Sequence, residues 1–340
     1  MTKPIIQPEA TFKMYELISG YWIACSIHAL AQLNIADFLA HGPKTIDELS
    51  KISDTHAPSL YRLLRAVTSV GIFEETVDGK FQINALGNAL LTDTAGSVKP
   101  WALANLGEHF PAFGNLAYGI STGNVPFDQV HGMPVWDYYK THPEAAENLT
   151  KAMAGVSGAV IEGITEHYDF SPYKTLVDIG GGNGALMFGV LRASPNSEGI
   201  VFDEPYIIEQ TKLNIPENLK NRCSVAGGSF FESLPKDADL YMTKWVLHDW
   251  NDEQVLQIFD TCFKSMKSGS KLLIIESVLP DEINSPHAGK LLDINIFAMT
   301  KGKERTVSEF KNLVERAGFR YNRLILTNTE LSSIIECEKP

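Results

Sequence analysis

The chain predicts an α/β fold: a Rossmann-like, mostly parallel sheet with an antiparallel edge strand, plus an all-helical, winged-helix N-terminal domain. Three observations predict it. From residue 174 short apolar strands alternate with helical segments, the pattern of βαβ units. The first of these strands runs into a glycine-rich turn, in "LVDIGGGNGA". The first hundred residues lack that alternation and offer helices and one hairpin signal instead.

Length and composition set the frame. A chain of 340 residues suits two domains, or one large α/β domain with an addition. With 44% hydrophobic and 21% charged residues it has material for a packed core and no disorder-like bias. The balance of 29 Lys+Arg against 41 Asp+Glu gives a net charge of −12. Such a surface repels phosphate backbones, so nucleic acid and anionic membranes are poor partners. Cys25, Cys223, Cys262 and Cys337 are scattered, with no C-x-x-C pair to suggest zinc or a disulfide framework. "MTKPIIQPEA" has no apolar core of a signal peptide, and no apolar run reaches a membrane span. A soluble, cytoplasmic protein is expected.

Residues 11–40 read as a helix that is apolar on several faces, with Tyr15, Trp22, Ile23, Ile27, Leu30 and Leu33. Such a helix wants a partner beyond its own domain. Thr45 and Glu48 form a capping box for a second helix. Pro58 and Ser59 open a third, which stops at Gly71. "IFEET" and "KFQIN" then flank Asp78-Gly79 as a hairpin. Helix, helix and wing make a winged-helix domain over residues 1–100. The helix opened by Pro58 carries only Arg62 and Arg65 as cations, too few for a DNA footprint, so protein association is the expected role. Residues 101–166 read as a mostly helical linker, broken at "STGNVPFDQVHGMP", whose aromatics contribute to a substrate pocket. Residues 167–340 form the nucleotide-binding domain, closing with two strands in "FRYNRLILTNTELSSIIECEK".

The chemistry gathers where the strands end. Gly180, Gly182 and Ala185 satisfy G-x-G-x-x-A, a pattern that serves NAD as well as other nucleotides. Asp178, two residues before the first glycine, suits a cationic amino-acid ligand better than a pyrophosphate, which favours S-adenosylmethionine (SAM). Asp203 ends the next strand, at the place that grips ribose hydroxyls in either cofactor. Lys244, Trp245 and His248 follow the strand in "DLYMTKWVLHDW", and Glu276 ends "LLIIE". An acid that ends an apolar run is unlikely core, because buried unpaired carboxylates are costly. Glu304 precedes Arg305 and the capping box of Thr306 and Glu309. The plain alternatives are a helix cap for Asp178, a solvated strand end for Glu276 and a surface charge for Glu304.

The ordered set "LVDIGGGNG", "FDEP", "GGSFFESLP", "KWVLHDWND", "ESVLP" and "GKERT" resembles the SAM-dependent O-methyltransferases of plant phenolics and bacterial aromatic polyketides, over nearly the whole chain. The resemblance implies His248 as general base, Glu276 and Glu304 as the acids that orient it, and Asp249 beside it. It implies cofactor contacts from Gly180, Gly182, Asp203, Lys244 and an adenine-stacking Trp245. It also implies a homodimer through the N-terminal helices. Ser229-Phe230 stands where plant members have Asp-Met, and Glu204 where leucine is usual. Asp178, Glu204, Ser229 and Phe230 complete the expected cofactor set; Met153, Trp250 and Asn295 are expected to face the acceptor. No metal is expected. The acceptor read from the sequence is a small aromatic phenol, polyketide or multi-ring, for instance anthraquinone-like, and the product cofactor is S-adenosylhomocysteine (SAH). Competing readings are a SAM-binding relative that methylates nitrogen, hydroxylates or decarboxylates; a winged-helix metabolite sensor; and an NAD-dependent redox enzyme.

Overall fold

The computed structural model describes residues 7–94 and 96–340. These divide into two compact units: residues up to 110 with 144–155, and residues 111–143 with 156–340. The stretch 101–166 is divided between the two.

In the first unit, α1 (Pro8–Gln32) is followed by the short α2 (Ile35–Leu39). The single helix expected over 11–40 breaks at Asn34, whose φ of 54° is left-handed, a conformation asparagine tolerates. Next come β1 (Lys44–Thr45), α3 (Ile46–Ile52), α4 (Ala57–Thr68), β2 (Glu74–Glu75) and β3 (Lys80–Gln82). The Thr45–Glu48 capping box forms, and the hairpin turns where Asp78-Gly79 predicts. β1 adds to β3 as a third strand that the sequence reading did not include. Leu60, Leu64 and Val67 fall on one stripe of α4 and bury against Leu30, Ile35, Leu49 and Phe81. α5 (Lys99–Leu106) brings in a buried ammonium, Lys99, held by Asn34, Asp37 and Thr92.

The second unit begins with α6 (Phe110–Gly114), α7 (Leu116–Thr122), α8 (Pro126–His131) and α9 (Val135–Thr141). α8 lies inside the stretch read as a break; Pro126 occupies its first turn, where a missing N–H costs nothing. α10 (Pro143–His167) runs on into the sheet domain. That domain is β4 (Thr175–Ile179), α11 (Ala185–Ala193), β5 (Glu198–Asp203), α12 (Pro205–Leu213), β6 (Cys223–Gly227), β7 (Leu240–Lys244), α13 (Asp252–Ser265), β8 (Lys271–Glu276), α14 (Gly289–Met299), α15 (Val307–Arg316), β9 (Arg320–Leu326) and β10 (Ser333–Glu338). The third strand is "CSVAG"; "GGSFFESLP" is mostly the loop after it, since its glycines and Pro235 do not support a strand.

The strand order is β6-β5-β4-β7-β8-β10-β9. β6 to β8 are parallel, and β10 runs antiparallel between β8 and β9. The order reverses direction at β4, so a crevice opens beyond the carboxyl ends of β4, β5 and β7. Val177, Ile179, Tyr241, Leu272 and Ile274 face α13 and α15. Leu176, Val201, Met242, Leu273 and Ile275 face α11 and the end of α10. No helix among the described residues is long and apolar enough to cross a membrane.

Candidate active site

Two groups of charged side chains sit at the carboxyl edge of the sheet. The first lies on the side of α13 and α15. Glu276 ends β8 and is fully buried, continuing the face of Leu272 and Ile274. The backbone N–H groups of Val246 and Leu247 both donate to its Oε1, at 3.0 and 2.8 Å. The acid thereby holds the one-turn helix Leu247–Asp249 that carries His248. His248 is buried, and its Nδ1 lies 2.7 Å from Glu304 Oε1 and 3.5 Å from Glu276 Oε2. A proton on Nδ1, donated to Glu304, leaves Nε2 to act as acceptor or donor. The nearest carboxylate to Nε2 is Asp249 Oδ1, at 3.9 Å. Glu304 is fixed in turn by its backbone N–H, which donates to Asp293 Oδ1 on α14 at 2.8 Å.

Burial disfavours charge on His248, but the carboxylates of Glu276, Asp249 and Glu304 outweigh it and raise the imidazole to about 10. The same burial pushes Glu276 up to about 7 and Asp249 up to about 6. One ligand atom from each of His248, Glu276 and Glu304 falls within 4.8 Å of the others, close enough for one ion to bridge. Nδ1 pairs with Glu304 Oε1 and Glu276 Oε1 is taken by two backbone donors, while Glu276 Oε2 and Glu304 Oε2 are buried with no hydrogen-bond partner among the described residues.

The second group lies on the side of α10 and α11. β4 ends in a loop whose Gly180, Gly182 and Gly184 all have positive φ, at 67°, 52° and 81°. Only glycine adopts these at little cost. Gly184, absent from the G-x-G-x-x-A reading, starts α11. A Cβ at Gly180 would strike Val246, whereas one at Gly182 would enter open space. Asp178 is buried, and its Oδ2 has no hydrogen-bond partner among the described residues. Burial raises its carboxyl to about 7, opposed by the Lys244 ammonium. Burial in turn lowers Lys244 to about 8, opposed by Asp178 and Glu276. An orphaned buried oxygen of this kind fits a cationic amino-acid group, and the residues present fit SAM on that ground. Asp203 accepts the backbone N–H groups of Gly182 and Glu204, at 2.8 and 2.7 Å, tying β5 to the glycine loop and keeping lone pairs for hydroxyl donors.

The other expected residues have more varied surroundings. Trp245 does not stand open to stack on a base. Its Nε1 donates to Leu331 O at 2.9 Å, its ring packs against the α10–α11 core, and Lys244 Nζ covers it at 3.7 Å. Its φ of 55° is strained for so bulky a residue, and it turns the chain sharply from β7 toward His248. Trp250, expected at the acceptor, instead packs edge-on against Phe230 and Phe231, with ring centroids 5.9 and 4.9 Å away. It is thus the tryptophan beside Ser229-Phe230. Glu204 precedes α12 and is exposed. Asn295 is half-buried on α14 with Oδ1 unpartnered among the described residues, and Met153 lies on α10. Sequence reasoning passed over Gly302, Asp293 and Arg305. The only available signal was the "GKERT" string, from which it took Glu304 alone.

Residues 15–93 match the O-methyltransferase dimerisation domain, and residues 113–320 the O-methyltransferase domain. A phenazine O-methyltransferase of Lysobacter antibioticus is 37% identical over 322 residues, 94% of each chain. The mitomycin biosynthesis 6-O-methyltransferase of Streptomyces lavendulae is 34% identical, over 95% of this chain and 93% of that one. A nicotinate N-methyltransferase of Glycine max is 31% identical, over 92% of each. The crystal structure of LaPhzM superposes with a TM-score of 0.93 at 36% identity, covering 98% of this chain and all of that one. The O-methyltransferase NcsB1 from neocarzinostatin biosynthesis, solved with SAH and 1,4-dihydroxy-2-naphthoic acid, has a TM-score of 0.80 at 29% identity, covering 93% and 96%. With both domain models matched in order and the similarity running the length of its relatives, the chain belongs to the O-methyltransferase family.

Proposed function

We propose that the protein transfers a methyl group from SAM to a phenolic hydroxyl of a multi-ring aromatic acceptor, with His248 as general base. The observation that carries this is the buried His248–Glu304 pair, 2.7 Å apart, with Nε2 left for the substrate. When bound, SAM supplies a sulfonium-activated methyl group; the chain's own residues position the acceptor and handle its proton. A phenol with a pKa of about 10 is ionised to only about 0.1% at neutral pH. An ordinary imidazole, about 6.5, is a weak base toward it. Raised to about 10, His248 matches the phenol, and proton transfer to Nε2 becomes nearly balanced. Glu304 stabilises the imidazolium that results, and Glu276 fixes the turn that aims it. The same match means that the free imidazole carries its proton at neutral pH, so activity rises with pH as the base is uncovered.

For the cofactor, Asp178, the Gly180–Gly182 loop, Asp203 and Lys244 would hold SAM. The edge-on packing of Trp250 and Phe230 beside Ser229 supports moving the adenine-stacking role from Trp245 to Trp250. The dimer would form through α1, where Phe12, Tyr15, Leu17, Ile18, Tyr21 and Trp22 lie exposed.

The test mixes methyl-labelled SAM with hydroxylated phenazines, naphthoates, anthraquinones, flavonoids and catechols, and runs His248→Ala beside the wild type. Transfer to one scaffold that the variant loses supports the reading; full transfer by the variant removes His248 as base. The likeness to a nicotinate N-methyltransferase favours a second reading, methylation of a ring or amino nitrogen. A ring nitrogen with a free lone pair has no proton to lose, and an amino nitrogen attacks through its lone pair and releases its proton to water only after methylation, so neither needs the base for attack. An N-methylated product formed equally by wild type and His248→Ala would support that reading.

A further inference from the structure

The loop before α15 does more than supply Glu304. Arg305 is the largest fully buried side chain among the described residues. Its Nη1 donates to Leu247 O at 3.0 Å and to Lys303 O at 3.3 Å. Its Nη2 donates to Trp250 O at 2.7 Å, and both Nη2 and Nε reach Asp252 Oδ1, at 2.8 and 2.9 Å. The guanidinium thus grips the carbonyls immediately before and two residues after His248. Three residues earlier, Gly302 lies against the same turn from outside: a Cβ there would sit 1.8 Å from the carbonyl oxygen of His248 and 2.5 Å from the carbonyl carbon of Asp249. Glu304 stands between the two, bonded to Nδ1.

Resting on the reading of His248 as base, we infer that Gly302–Arg305 is a bracket that sets the position of the base, with Arg305 its positioning residue. Glu276 holds the turn by its N–H groups and Arg305 by its carbonyls, so the backbone on both sides of His248 is fixed by buried charge. Because Arg305 and Glu304 are adjacent, the grip on the turn and the bond to Nδ1 share one backbone and keep one register. Lysine cannot replace the fork, since one ammonium cannot span two carbonyls and a carboxylate in this geometry.

The experiment compares Arg305→Lys and Gly302→Ala with the wild type, each alone and in the His248→Ala background. SAM affinity, kcat and KM for the acceptor, the pH profile and the Nδ1–H resonance of 15N-labelled His248 are followed. Expected for Arg305→Lys are a SAM Kd within about twofold of wild type and a kcat lower by on the order of 10- to 100-fold, the scale of a small misplacement of a catalytic group. The rising limb of the pH profile moves to lower pH as the Glu304 contact loosens, and the Nδ1–H resonance broadens away. In the His248→Ala background neither substitution lowers the residual rate further. If Arg305→Lys does not fold, Asp252→Asn, which keeps the arginine and its bonds to Leu247 and Trp250 but loosens the fork at a half-exposed carboxylate, carries the same directions at smaller size. Wild-type kcat, pH limb and resonance in a folded variant would overturn the bracket. So would an equal loss of rate without His248. The two readings fail separately: full activity of His248→Ala removes the base and with it any route for the bracket through the base. An inactive His248→Ala beside a normal Arg305→Lys removes only the bracket.

Discussion

The two charged groups at the sheet edge differ in how far their side chains bond one another. Around His248 the base is tied to an acid, an acid to the backbone and carbonyls to Arg305, while Glu276 Oε2 and Glu304 Oε2 keep no hydrogen-bond partner among the described residues. Around Asp178 a buried carboxyl keeps an oxygen with no partner among the described residues. On the proposed reading the first group holds a proton at His248 by its tie to Glu304. On the same reading a cationic ligand completes the second, where Asp178 faces the Lys244 ammonium and the glycine loop. The sheet stores the cost of both in one place, where loops are free to vary without disturbing the strands.

That contrast breaks most sharply at His248. Replacing it by alanine is expected to lower kcat by about 10²- to 10⁴-fold, the usual worth of a general base, with the SAM Kd unchanged. Calorimetric SAM binding beside a methyl-transfer assay checks both halves; a matching loss of SAM affinity would mean the two groups are one site. Asp178→Asn is expected to do the reverse. It removes a buried carboxyl that costs energy unligated, so Tm holds or rises, while SAM binds roughly 10- to 100-fold more weakly, the worth of a charged hydrogen bond. A fall in Tm with unchanged SAM binding would make Asp178 structural.

Smaller effects sharpen the picture. Glu304→Gln removes one of the carboxylates that raise His248, so the imidazole pKa falls and the acid limb of kcat/KM moves to lower pH, with kcat lower by roughly 10-fold. A limb that stays put would show that His248 does not govern it. Gly182→Ala, at φ 52° with open space around it, is expected to cost about 1 kcal/mol, or some 2–4 °C in Tm. Dialysis against a chelator is expected to leave the rate unchanged; a loss restored by one divalent metal would give His248, Glu276 and Glu304 to an ion instead.

The sequence was most legible where one local rule decides the outcome. Both Thr–Glu capping boxes, the Asp-Gly hairpin and the glycine turn after β4 form as read. It was least legible where two tryptophans compete for one role. Trp245 and Trp250 both follow β7 and look alike in the string, yet one is drawn into the core by Leu331 and Lys244 while the other turns to Phe230. Nothing within a few residues of either encodes that choice.

What the sequence determined by itself is the chain's vocabulary: alternating apolar strands, the acids at their ends, a histidine after the fourth parallel strand, and the ordered motifs of the family. These follow from periodicity and residue type, which act over one or two turns of backbone. Tertiary structure alone decided that Glu304, 56 residues on, meets His248, and that Arg305 reaches back 58 residues to Leu247. It also decided that Gly302 must be small because a backbone from elsewhere lies where a side chain would go. Those are contacts between distant segments, and they exist only once the sheet has brought its loops to one edge.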